Sequence, residues 1–95
     1  MENRNAEILY LKSSTSKDVQ QFNEKIGEGI RAIRKSTGLS QSALAKKAKF
    51  CRNTIVQIEF GQRENPIPIK TVYKILDALA VPITLHEFLE LCHLI

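Results

Sequence analysis

Apolar residues recur along the chain at intervals of three and four, the signature of helices that each bury one face. Val19, Phe22, Ile26, Ile30 and Ile33 define the first stripe, with Ser16 placed to cap its start and Gly38 to stop it. Gly27 and Gly29 fall inside this pattern, and each costs roughly 1 kcal/mol against alanine, which points to a close backbone contact or to a frayed first half. Ser40 then caps a short segment whose apolar face is Leu44, Ala45 and Ala48, with Lys46 and Lys47 turned away. Cys51 precedes a third segment in which Ile55 and Ile58 face inward and Gly61 closes the helix. Pro66 and Pro68 mark an irregular loop. From Pro68, suited to a first helical position, Ile69, Val72, Ile75, Leu76 and Leu79 form a fourth stripe. Thr84-Leu85-His86-Glu87 has the form of a capping box, and Leu85, Phe88, Leu89, Cys92 and Ile95 carry a fifth helix to the chain end. Ahead of all of these, Ile8-Leu9-Tyr10-Leu11 is an apolar patch in a polar arm, readable as a short strand or as packing beneath the core.

The expectation is therefore an all-α domain of five helices with a short N-terminal arm. Ninety-five residues, 43% of them hydrophobic, with no Trp, suit one small domain with a thin core. No apolar run approaches the ~20 residues a bilayer span needs, and the first residues lack the basic start and long apolar stretch of a secretion signal; a cytoplasmic protein without a membrane partner is expected. Cys51 and Cys92 are too few for a disulfide framework and read as reduced thiols.

Charge changes the picture more than composition does. Residues 25–63 carry nine Lys or Arg against two Glu, a net +7, while residues 1–24 sum to −1 and residues 64–95 to −2. A basic centre between less charged ends is the footprint of a nucleic-acid surface. Within that centre the third helix opens with Arg52, Asn53 and Thr54, side chains that a core has no use for but that can read polar groups. Two short helices joined by a tight turn, the second starting with such residues, form a helix-turn-helix.

The runs Gly38-Leu-Ser-Gln-Ser-Ala-Leu-Ala-Lys-Lys-Ala48 and Cys51-Arg-Asn-Thr-Ile-Val-Gln-Ile-Glu-Phe-Gly61 resemble the Cro/repressor-type (XRE) helix-turn-helix family, and the likeness extends over roughly residues 25–82. The resemblance implies a five-helix DNA-binding domain, usually dimeric, whose third helix lies in the major groove of an operator. It places Gln41 on a phosphate, where the free N–H groups of a helix start already favour an anion. It places Arg52, Asn53 and Gln57 at base edges, where Arg suits guanine and Asn or Gln suits adenine. Thr54 is expected on a thymine methyl or a phosphate, and Arg63, in the loop after the third helix, on the DNA backbone. Arg34 and Glu59 match a structural ion pair that ties the first helix to the recognition helix. Departures from the family pattern are Lys49 where a turn glycine is common, at roughly 1–2 kcal/mol if it is left-handed; Phe60 in place of a polar residue, expected to pack on the loop; and a loop Gly61–Ile69 about two residues longer than usual.

The resulting organisation is an arm over residues 1–15, the helix-turn-helix domain over 16–82, and a C-terminal helix over 83–95 that serves a two-fold interface. A homodimer would set its recognition helices about 34 Å apart and bind an inverted repeat of double-stranded DNA. The sequence holds no catalytic constellation and no phosphate-cradling glycine loop, so an enzyme is not expected and no cofactor is called for. His86, Glu90 and His93 share one face of the expected fifth helix but fall short of a zinc ligand set. Two functions fit: a repressor or controller acting on its own, or an antitoxin whose arm or tail also binds a toxin protein.

Overall fold

The structure, a computed structural model, describes the backbone of residues 4–95 and the side chains of residues 17–95. It consists of α1 (Arg4–Ser36), α2 (Gln41–Ala48), α3 (Arg52–Glu59), α4 (Ile69–Leu79) and α5 (Leu85–Leu91), with no strand among the described residues. α3 packs against both α1 and α2, α2 also against α4, and α1 also against α4 and α5. Each helix buries one stripe: Ile26 and Ile30 from α1, Leu44 from α2, Ile55 and Ile58 from α3, Val72 and Ile75 from α4 and Phe88 from α5 meet in one core, each with no exposed surface.

The first expectation to be corrected is the start of α1. The helix begins at Arg4, so Ser16 lies inside it rather than capping it, and the strand expected over Ile8–Leu11 is a helical segment. Four contiguous apolar residues do not discriminate between the two periods, and flanking Ala6, Glu7 and Lys12 are good helix formers. The packing of that patch lies outside the described residues. Gly27 and Gly29 are sites of close backbone approach. A Cβ on Gly27 would lie 2.8 Å from the Glu59 carbonyl oxygen and closer still to that of Ile58, and one on Gly29 would lie 2.5 Å from Cys92 Sγ. Glycine at these positions lets α3 and α5 reach the α1 backbone.

Smaller corrections concern α4 and α5. Pro68 is the N-cap of α4 rather than its first residue, and Ile69 is 48% exposed instead of joining the stripe. α5 carries the capping box: Thr84 N–H donates to Glu87 Oε1 at 2.9 Å and Glu87 N–H donates to Thr84 Oγ1 at 3.1 Å. The Thr84 backbone N–H first, and then the Thr84 side chain, hold the Glu87 carboxyl below its ordinary pKa. The helix ends at Leu91, not at Ile95. His93 turns left-handed at φ 61°, and Leu94 N–H closes back on the Leu89 carbonyl at 2.9 Å, a helix-ending pattern that leaves Ile95 exposed.

Candidate nucleic-acid interface

The α2–turn–α3 unit is assembled from its caps. Ser40 is extended and its Oγ accepts from Ala43 N–H at 3.0 Å, satisfying one free donor at the start of α2. At the other end Lys49 adopts the left-handed conformation, φ 61° and ψ 42°. The turn thus keeps the geometry a glycine would give it, at the cost anticipated for a side chain there. Phe50 N–H then reaches the Ala45 carbonyl at 2.9 Å, and the half-buried Phe50 ring lies 5.8 Å below Lys74 Nζ. Cys51, exposed, is the N-cap of α3 without a side-chain cap bond.

The register of α3 follows from burial. Ile55, Ile58 and Glu59 face inward. At about 100° per residue, Asn53 and Gln57 then lie on the opposite side, Thr54 and Val56 at its margins, and Arg52, seven residues before Glu59, on the flank nearest that carboxylate. Arg52 and Asn53 are exposed, and Thr54, Val56 and Gln57 half-buried. The first turn of the helix therefore offers its polar side chains outward while the last turn is held in the core.

Behind that face runs a connected polar network. Arg34 donates from Nε to Glu59 Oε2 at 2.6 Å and from a terminal nitrogen to Glu59 Oε1 at 3.0 Å, with 8% and 3% of the two residues exposed. Its remaining terminal nitrogen reaches the Leu39 carbonyl at 2.7 Å, fixing the α1–α2 connection. Gln41 Nε2 donates to the same Glu59 Oε1 at 3.1 Å, and Gln41 Oε1 accepts from Arg52 at 3.5 Å. One buried carboxylate thus links α1, the start of α2 and the first residue of α3.

Past α3, Gly61 is left-handed at φ 65° and Gln62 N–H donates to the Gln57 carbonyl at 2.9 Å. Arg63 follows, half-buried, and stands apart from the Gln41–Arg52 pair in the hydrogen-bond network. Phe60 meets α1. Its ring, 52% exposed, lies under the Arg31 guanidinium at 5.4 Å, a cation–π contact.

Sequence reasoning missed Asn23. It is fully buried, donates from Nδ2 to the carbonyls of Arg63 at 3.2 Å and Asn65 at 2.9 Å, and accepts from Ile67 N–H at 3.0 Å. The signal was present: position 23 continues the stripe of Ile26, Ile30 and Ile33, and an amide on an apolar stripe needs buried partners. The histidines do not form a site. His86 Nε2 and Glu90 Oε2 are 3.8 Å apart on an exposed face, His93 lies beyond the helix, and no group of three metal-ligating side chains is gathered among the described residues. Among them, too, no helix is long and apolar enough to cross a membrane.

The sequence model of the helix-turn-helix family matches residues 30–86, more than half of the chain. The protein belongs to this XRE-type family, and it is a DNA-binding transcription regulator of that type. The family is a DNA-binding regulatory one, not typically enzymatic. No curated protein and no solved structure matches the chain.

Proposed function

We propose that the protein is a homodimeric repressor or controller that reads an inverted-repeat operator through α3. The observation that carries this reading is the outward first turn of α3, with Arg52 and Asn53 exposed and Arg52 bonded to Gln41, in a basic surround. In this reading Arg52, Asn53 and Gln57 meet base edges, Thr54 meets a thymine methyl or a phosphate, and Gln41 and Arg63 hold the DNA backbone. Gln41 has an N–H to spare for a phosphate, since Nε2 carries two hydrogens and one is directed at Glu59. Arg34 and Glu59 set the angle between helices and touch no base. The two-fold contact is assigned to the C-terminal part of the chain, where Leu91 and Ile95 are 51% and 63% exposed.

The test is selection of bound sequences from random duplex DNA by the purified protein at a fixed salt concentration, because phosphate-driven affinity depends steeply on salt. An enriched inverted repeat with constant half-site spacing is the expected result. The antitoxin reading draws on the same exposed apolar side chains, with Tyr73 on α4, 66% exposed, added to them. A stable complex with a second protein, in place of or beside the homodimer, would favour it.

A further inference from the structure

We propose that Asn23 is a positioning residue for DNA-backbone binding: it fixes the loop after the recognition helix to α1 and so sets where Arg63 can meet a phosphate. The inference rests on the reading of Arg63 as a backbone contact given above.

The loop from Gly61 to Pro68 has no regular secondary structure, so its course depends on anchors. Two are conventional: Gln62 N–H is bound to the Gln57 carbonyl at 2.9 Å, and the Ile67 side chain is 2% exposed in the core. Arg63 lies between them. The third anchor comes from a part of α1 upstream of residue 30, outside the family match. There Asn23 uses both Nδ2 hydrogens on the Arg63 and Asn65 carbonyls and its Oδ1 on Ile67 N–H. The partners are two acceptors and one donor, which fixes the amide's orientation and satisfies three loop backbone groups, that of Ile67 buried and the other two partly so, that have no ladder of their own. The same stretch of α1 meets the loop a second time at Gly61, where a Cβ would lie 2.9 Å from Glu24 Cγ and 3.2 Å from Glu24 Cα. An arginine reaches a phosphate only from a backbone held at the right distance. Here the carbonyl of the arginine itself is one of the held groups.

The experiment measures binding to a short random-sequence duplex across a salt series, which counts phosphate contacts without needing the operator. Arg63→Ala alone tests the underlying reading: the log–log salt slope should become shallower by about one. An unchanged slope would remove Arg63 from the DNA and the inference with it. Asn23→Asp keeps the acceptor for Ile67 but sets a carboxylate against two carbonyls; Asn23→Ala removes all three bonds without adding charge. Whichever of these retains the helical circular dichroism of the parent decides the question, and both should agree if both fold. The expected result is a slope already shallower by about one, and no further change when Arg63→Ala is added. A variant that keeps the parent slope, or in which Arg63→Ala still removes its full contribution, would show that Asn23 serves stability alone and overturn the proposal.

Discussion

Gln41 Nε2 donates to Glu59 Oε1 at 3.1 Å, which makes the first residue of α2 a neighbour of the same buried carboxylate that pairs with Arg34. A charge at this depth requires both its partners. Glu59→Gln leaves the Arg34 guanidinium buried without a counter-charge, and loss of one member of such a pair costs about 3–5 kcal/mol. Urea denaturation should show that loss. The double replacement Arg34→Met with Glu59→Leu should recover most of the stability, because two apolar side chains of similar size need no counter-charge. It should not recover DNA affinity, since Gln41 then has no acceptor to orient it. Full recovery of both would separate Gln41 from the network.

The glycines of α1 make a second stability prediction. A methyl group at Gly27 meets the carbonyl oxygens of Ile58 and Glu59, which are backbone atoms of a packed helix, whereas one at Gly29 meets Cys92 Sγ and the Phe88 ring. Side chains yield more readily than backbone. Gly29→Ala should therefore cost about 1–3 kcal/mol and Gly27→Ala at least as much, in spite of the higher helix propensity of alanine. Urea midpoints rank the two, and a stabilised Gly27→Ala would contradict the close approach of α3.

Most of this fold was legible because most of it is periodic. The stripes of α2, α3 and α4 predict their helices to within a residue or two, and Thr84 with Glu87 predicts the start of α5 by capping chemistry alone. What the pattern could not supply were features that depend on distant partners. Ile8 to Leu11 carry no period, so a strand and a helical segment fitted them equally. The end of α5 is set by His93 turning left-handed, which no residue type there announces. Phe60 stacks under Arg31, a pairing of residues 29 positions apart. Asn23 was visible as an amide out of place, but its partners in the loop were not. The outward side of α3 was legible in residue type and register, because Ile55 and Ile58 fix which side faces the core.

The two cysteines should behave differently toward thiol reagents. Cys51 is exposed, whereas burial, with Glu28 nearby, pushes the Cys92 thiol up to about 11. Cys51 should be alkylated rapidly in the native protein and Cys92 only on unfolding. The same shift makes stability pH-dependent. The folded state holds the Cys92 proton more tightly than the unfolded chain, whose thiol has an ordinary value near 9.0. This contribution is complete below about pH 9 and is lost as pH rises towards 11. Comparing urea midpoints of the parent and Cys92→Ala across that window should reveal a downward slope in the parent that the variant lacks. Parallel curves would contradict the buried-thiol account.

Asn53 and Gln57, four residues apart, share the outward side of α3, and their substitutions should separate reading from holding. Each of Asn53→Ala and Gln57→Ala should weaken binding to the selected operator by roughly 1–3 kcal/mol, the worth of a bidentate base contact. Affinity for unrelated duplex should change little, because phosphates supply that term. Arg52→Ala is predicted to do both: it removes a base contact and, by releasing Gln41 Oε1 from its bond at 3.5 Å, disturbs a residue assigned to phosphate. The comparison needs titrations of both duplexes at one salt concentration and a melting curve for each variant. Equal losses on operator and unrelated DNA for Asn53→Ala and Gln57→Ala would move these residues from the base edges to the backbone. α3 would then grip DNA without reading it, and sequence preference would have to come from the shape and deformability of the duplex.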